Sequence, residues 1–336
     1  MSFLVGDIGG TRVRLRLIDR VDAEWRTLHE QRGLTADSAC AGVAIRNFLD
    51  ALSPSMRKSV RGACLAVAGP VVNGQVTMTN LPWQLDEADL SKSLGIEFVE
   101  LINDFAAVAM ALPTIPPQDF QEIHPGSRAD GLCIAIGPGT GLGHCLFRRR
   151  DDDIECFPSE GGHLAFAPLD EEQDRLLAVL RARHGRVSYE HLLSGCGLTA
   201  LYRFACDRRD LPDTTGTAAD AAAHVAQAAT TGDVAAIAAV EMFWAVLGAF
   251  AGDAVLACAA SGGVYLAGGI LLHLPPGLGH EAFRRAFENK AAMAALVADV
   301  PVHLIMRDDI GLIGAQARIV RRWSHRSGGH RQEGPE

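Results

Sequence analysis

The chain has 336 residues, of which 48% are hydrophobic and 21% charged, and its formal net charge is −9. This composition is typical of a soluble globular protein with room for two domains, and the acidic balance argues against a nucleic-acid or anionic-membrane partner. The eight cysteines include no C-x-x-C pair, which argues against a zinc or disulfide framework. Since no signal peptide precedes the first apolar run, we expect a cytoplasmic protein.

The first predicted element is a β-hairpin. An apolar run over residues 3–8 is followed by Gly9-Gly10-Thr11 and then by an alternating run over residues 13–19. Alternation indicates a strand, so the glycines join two strands rather than a strand and a helix. In such a turn the backbone N–H groups can form an anion pocket, because glycine lets the backbone approach closely. A lone Gly-Gly turn is more often only a turn, so the motif needs support from elsewhere in the chain.

A strand over residues 97–102 is followed by Asn103-Asp104 and by a helix that ends before Pro113. Asn and Asp are favoured at a helix N-cap, which is one interpretation of the pair. The other is catalytic, because a helix N-terminus holds a carboxylate in its ionised form, ready to take a proton from a hydroxyl. Both interpretations are compatible.

The second half of the chain repeats the first hairpin. Residues 131–147 read as an apolar strand, a turn with the sequence GPGTG, and a second apolar strand. A third glycine pair ends the strand-like segment 262–270, and the long apolar stretch 234–260 is interrupted by acids, which favours a buried helix over a membrane span. Two matching hairpins make a phosphate-binding role more plausible than either hairpin alone.

These motifs together resemble a known family. The segments GDIGGTRVRL, GPGTGLG and LAGGI resemble the two phosphate motifs and the adenosine motif of the hexokinase–actin superfamily. Within it, LINDFAAVAMALP, FPSEGGHLAFAP, VSYEHLLSGCGL and GLIGAQARI resemble bacterial ATP-dependent glucokinases. The resemblance implies an α/β fold of two ribonuclease H-like (actin-like ATPase) domains around a central cleft. It also implies ATP and Mg²⁺ as co-substrates, phosphorylation of glucose at its 6-hydroxyl at the entry to glycolysis, and a homodimer.

The resemblance also gives domain boundaries and site residues. Residues 1–113 and 312–325 are expected to form a small domain, 114–311 a large one, and 326–336 a disordered tail. Asp104 matches the catalytic base, and the sugar ligands are Asn103, Asp104, Glu160, His163 and Glu190. The ATP site is expected to comprise Gly6, Asp7, Ile8, Gly9, Gly10, Thr11, Gly137, Gly139, Thr140, Gly141, Gly268 and Gly269. Asp7 suits a magnesium ion bound through water, the mode that Mg²⁺ prefers.

Some features depart from the family pattern or leave other functions open. Arg12 stands where glucokinases commonly carry Asn, and it could reach a phosphate oxygen or lie away from it. His144 and His191 match no ligand position and are interpreted as structural. Competing functions are a kinase of another hexose or aminosugar, a sugar-responsive repressor and an inactive sugar sensor. The repressor needs a DNA-binding domain for which the sequence leaves no room, and the sensor should lack Asp104 or a phosphate hairpin.

Overall fold

A computed structural model describes residues 1–22, 24–79, 81–127, 129–150, 153–216 and 220–328. The chain is mixed α/β and divides into two compact units. The first unit comprises Met1–Ile115 and the chain from Asp309 onward, and the second unit comprises Pro116–Asp308.

Thirteen strands, twelve α-helices and six short 3₁₀ helices make up the described part of the chain. The strands are β1 Ser2–Ile8, β2 Arg12–Val21, β3 Glu24–Leu34, β4 Val60–Val67, β5 Gln75–Thr77, β6 Gln84–Asp86, β7 Phe98–Asn103, β8 Phe120–His124, β9 Cys133–Pro138, β10 Leu142–Arg150, β11 Asp153–Ser159, β12 Val264–Leu266 and β13 Val302–Ile305. The α-helices are α1 Ala41–Asp50, α2 Pro54–Ser59, α3 Glu87–Leu94, α4 Asp104–Ala111, α5 Glu171–His184, α6 Gly195–Asp207, α7 Ala221–Thr230, α8 Val234–Cys258, α9 Gly269–His273, α10 His280–Glu288, α11 Ala294–Ala298 and α12 Ile310–Gly328. The 3₁₀ helices are Thr35–Asp37, Leu112–Thr114, Pro117–Asp119, Gly161–His163, Tyr189–His191 and Ala291–Met293.

The first unit is a five-stranded sheet covered on both faces, with strand order β3-β2-β1-β4-β7. Strand β1 is buried on both sides because its side chains alternate between two hydrophobic clusters. Leu4 belongs to the cluster under α1 and α3, and Phe3 to the cluster under α12. Strands β1, β4 and β7 are parallel, and Ile8 pairs with Val67, which pairs with Asn103. The carboxyl ends of these three strands therefore lie at one edge of the sheet.

The second unit is a six-stranded sheet with order β11-β10-β9-β12-β13-β8. Its main core surrounds α8, whose Trp244 and Phe250 are almost fully buried. Helix α8 is long and apolar enough to cross a membrane by length and composition, but 67% of its most apolar window is buried inside the fold. This agrees with the interpretation of the apolar stretch as a core helix.

Five strands of the second sheet follow the same order as the five strands of the first, and β8 is added at the edge. In each sheet, a three-stranded antiparallel meander (β1-β2-β3 and β9-β10-β11) is extended by two strands parallel to its first strand. The repeated hairpin in the sequence therefore corresponds to a repeated sheet topology.

Some element boundaries differ from those expected. Residues 75–83 alternate in polarity, as in a longer strand, but form only the short strand β5, because the chain turns after it and returns as β6. Strand β3 was not expected from the sequence, and it forms an exposed sheet edge. Helix α12 continues to Gly328, into the segment for which a disordered tail is predicted, and residues 329–336 lie outside the described residues.

Candidate active site

The glycine turn of the first hairpin is tightly closed and held by a distant threonine. The N–H of Gly9 donates to the carbonyl of Arg12 at 2.9 Å. Thr35, which is 1% exposed, donates its N–H to the carbonyl of Thr11 at 3.0 Å and its hydroxyl to the carbonyl of Gly9 at 3.2 Å. Thr35 alone thus donates hydrogen bonds to two carbonyl groups of the turn. The N–H of Gly10, in contrast, donates to no described residue.

Asp7 lies just before this turn in a crowded, charged environment. It pairs with Arg14 across the hairpin, and a Cβ on Gly311 would lie 2.6 Å from its Oδ2, so the first turn of α12 packs directly on the carboxylate. Burial raises the pKa of Asp7 to about 6, Arg14 opposes the rise and Asp309 adds to it. Near neutral pH the group is mostly ionised at a site that favours a compensating cation.

Asn103 and Asp104 lie at the start of α4, at the same sheet edge as the glycine turn. Asn103 is the N-cap: its Oδ1 accepts from the N–H groups of Phe105 and Ala106 at 3.0 and 3.1 Å, and its Nδ2 donates to the carbonyl of Gly69 at 3.2 Å. Asp104 is the first helical residue, and its Oδ1 accepts from the Phe105 N–H at 2.9 Å. The strand register puts Asp104 two strands from Gly9, about 10 Å at ordinary strand spacing.

The glycine turn of the second hairpin is closed in the same way but held by different groups. The N–H of Gly139 donates to the carbonyl of Gly141 at 2.7 Å, and the first N–H of α6, that of Gly195, donates to the carbonyl of Gly139 at 3.0 Å. The third glycine pair lies beside this turn, because β12 runs parallel to β9. Gly268 has φ of 120°, and a Cβ there would collide with the carbonyl of Pro138, so only glycine fits at this position.

The three sugar-ligand candidates of the second unit form one cluster at this edge. His163 Nε2 lies 3.8 Å from Glu160 Oε2, and His163 Nδ1 lies 3.9 Å from Glu190 Oε1. The other oxygen of Glu190, Oε2, accepts from the N–H of Leu142 at 2.9 Å, the residue that follows the glycine turn. Side chains of Glu160 and His163 are about half exposed, which leaves them accessible to a ligand with several hydroxyl groups.

The two histidines interpreted as structural are packed against these elements. His144 is 7% exposed, neither of its ring nitrogens has a hydrogen-bond partner within the described residues, and burial lowers its pKa to about 4. It lies against Gly161, where a Cβ would be 3.0 Å from the ring. His191 accepts from the N–H and hydroxyl of Ser188, which fixes the 3₁₀ turn of Glu190.

Sequence reasoning located the turns and polar residues but not the groups that hold them. Thr35 and Gly195 are 24 and 56 residues from the turns that they contact, and no local pattern indicates such contacts. Glu190 lies in the three-residue 3₁₀ turn Tyr189–His191. Among the described residues, no group of three His, Cys, Asp or Glu side chains could hold a metal ion directly.

Several known proteins are similar to this chain in sequence and in fold. The family model described as Glucokinase matches residues 4–322. A glucokinase of Pectobacterium atrosepticum is 37% identical over 317 residues, 94% of this chain and 96% of the relative. A solved glucokinase from an Antarctic psychrotroph is 33% identical with a TM-score of 0.76, covering 95% of this chain and 99% of that one. A glucokinase structure from Balamuthia mandrillaris, solved with glucose, is similar in fold with a TM-score of 0.78 at 22% identity, covering 95% and 93%.

Proposed function

The chain belongs to the glucokinase family, and from that premise we propose which of its residues carry out ATP-dependent phosphorylation of glucose at the 6-hydroxyl. Asp104 is assigned as the general base. Its carboxylate takes the proton of the 6-hydroxyl as that oxygen attacks the γ-phosphorus of ATP and the bond to the β-phosphate oxygen breaks. The products are glucose 6-phosphate and ADP.

The observation that carries this assignment is the register of the first sheet. Ile8, Val67 and Asn103 pair across three parallel strands, so the glycine turn and Asp104 leave the same edge. Ligands of α/β proteins bind at the carboxyl ends of parallel strands. A base and an anion-binding turn on one edge suit a reaction in which a hydroxyl attacks a phosphate.

The phosphates are assigned to the two glycine turns. The N–H groups of Gly10 and Gly141 make no hydrogen bond to the described residues, so they are available to phosphate oxygens. Asp7 fits a water-mediated magnesium contact. Its carboxylate is partly buried, and the positive charge of Arg14 does not outweigh the effects of burial and of the neighbouring Asp309. When bound with ATP, Mg²⁺ would neutralise part of the phosphate charge.

The sugar is assigned to Asn103 and Asp104 of the first unit and to Glu160, His163 and Glu190 of the second. Three carboxylates, one amide and one imidazole offer many directional hydrogen-bond acceptors and donors to hydroxyl groups, which suits a neutral polyhydroxylated ligand. We further assign each unit to the ribonuclease H-like fold, supported by the strand order common to both sheets.

The test is ADP release from ATP with a panel of hexoses, with phosphorus NMR to identify the phosphorylated product. We expect glucose to give the highest kcat/KM and a product phosphorylated at the 6-position. A higher kcat/KM for mannose or glucosamine would replace glucose as the substrate but keep the mechanism. ADP release that is independent of any sugar would contradict the proposal.

A further inference from the structure

Strand β2 carries a row of three arginines on one face of the first sheet. Arg12, Arg14 and Arg16 occupy alternate positions, and alternate residues of a strand share a face. The hairpin register pairs Arg14 with Asp7, so the row lies on the sheet face that carries the proposed phosphate-site carboxylate. Arg12 is the member nearest the glycine turn.

The two inner arginines are balanced by acids. Arg16 donates to Glu30 at 2.8 Å and to Asp309 at 3.1 Å, and its side chain is 11% exposed. Arg14 is 7% exposed and lies opposite Asp7. Because buried charges need partners, the acidic neighbours of these two arginines account for their positions within the folded unit.

The outer arginine has no such explanation. Arg12 is exposed and makes no hydrogen bond or ion pair through its side chain with any described residue. Its backbone carbonyl closes the glycine turn by accepting the N–H of Gly9, so the residue is fixed to that turn. The chain has a net charge of −9 and only three lysines. The guanidinium group of Arg12 is therefore an uncompensated positive charge beside the N–H of Gly10, which donates to no described residue.

We propose that Arg12 binds a phosphate oxygen of the ligand held at the first glycine turn. This inference rests on the proposed function, which brings a phosphate to that turn. A guanidinium group is planar and donates two parallel hydrogen bonds to a phosphate. The phosphate has two possible sources, the nucleotide and the 6-phosphate of the sugar product, and the chemistry at Arg12 is the same for both.

The test uses binding of ADP and of glucose 6-phosphate to the intact protein, measured by calorimetry. Arg12→Gln removes the charge, and Arg12→Lys keeps it. Arg20→Gln is the matched control, because Arg20 is exposed on the same strand and its side chain pairs with no described residue. We expect Arg12→Gln to raise the Kd of one ligand about five- to tenfold, Arg12→Lys to recover most of that loss, and Arg20→Gln to stay within about twofold.

The two ligands identify the source of the phosphate. A rise in the Kd of ADP assigns Arg12 to the nucleotide, and a rise only for glucose 6-phosphate assigns it to the product. If Arg12→Gln binds both ligands as Arg20→Gln does, the inference is overturned. The proposed function is tested separately, by hexose phosphorylation with the wild-type protein. The two tests are independent because the calorimetric comparison of binding requires no turnover.

Discussion

In the first unit the glycine turn is held by a residue outside the proposed site, whereas in the second unit a proposed sugar ligand bonds the residue that follows the turn. Thr35 bonds two carbonyls of the first turn and is not among the proposed substrate ligands. Glu190 accepts from Leu142, directly after the second turn, and also faces His163. The same sheet topology thus supports two arrangements. The proposed phosphate and sugar ligands have separate supports in the first unit, and they share Glu190 in the second.

The units also differ in where they place acidic groups. In the first unit Asp7 is the next-to-last residue of the strand that leads into the glycine turn. The second unit has Gly137 at the matching position of its hairpin. The proposed base, Asp104, also belongs to the first unit. We infer that the first unit carries the chemistry and the second mainly carries binding, and the following variants test this division.

The largest effect is expected for Asp104→Ala. Loss of a general base lowers kcat about 10²- to 10⁴-fold, while calorimetric binding of glucose should change much less. Asp89→Asn is the control, because Asp89 is an exposed acid in the first turn of α3 and should leave kcat unchanged. Retention of more than about a tenth of wild-type kcat would remove Asp104 from the role of base.

Asp7 should make stability depend on pH. Its pKa rises from 3.8 in the unfolded chain to about 6 in the folded protein, so its contribution to the free energy of unfolding is fully present below pH 3.8 and is lost as pH rises through 6. The loss corresponds to up to about 3 kcal/mol. Urea titrations of the ligand-free protein should show a smaller decrease between pH 4 and 7 for Asp7→Asn than for wild type. Equal decreases would show that Asp7 titrates normally.

Glu190→Ala should affect both substrates. The substitution removes a proposed sugar contact and the acceptor for the Leu142 N–H. We expect KM for glucose to rise about 10- to 100-fold and KM for ATP to rise less, but measurably. Glu190→Gln keeps an acceptor oxygen and should spare KM for ATP. Glu160→Gln, whose residue bonds no part of the turn in the described structure, should raise only KM for glucose. If Glu190→Ala and Glu160→Gln gave the same pattern, the second turn would not depend on Glu190.

The smallest effect is expected for Thr35→Val. Valine keeps the N–H bond to Thr11 and loses the hydroxyl bond to Gly9, a change of about 0.5–1.5 kcal/mol. KM for ATP should rise about two- to tenfold at unchanged glucose affinity, and Thr35→Ser should restore it. A rise in KM for glucose of the same size would mean that Thr35 supports the whole unit rather than the turn.

Features that depend on neighbouring residues could be predicted from the sequence. The hairpins follow from alternation around glycines, and the helix after Asn103 follows from a capping residue before an apolar run. The supports of the turns could not be predicted, because Thr35 and Gly195 meet their partners only after the sheets have formed. Glu190 lies in a short 3₁₀ turn, because Ser194 caps the next helix only four residues later.

Helix α12 also sets the order in which the chain can complete its fold. Leu312, Ala315 and Ile319 are fully buried in the cluster that covers one face of the first sheet, and Gly314 lets α12 pack against the backbone of α4 at Ala107. During translation this sheet face stays uncovered until α12 is made. The ribosome must first add roughly 190 residues after Ile115, which takes about 10–40 s at ordinary speed. The nascent first unit therefore exposes an apolar surface while the second unit is made, and chaperones that recognise such surfaces have their longest access to it in that interval.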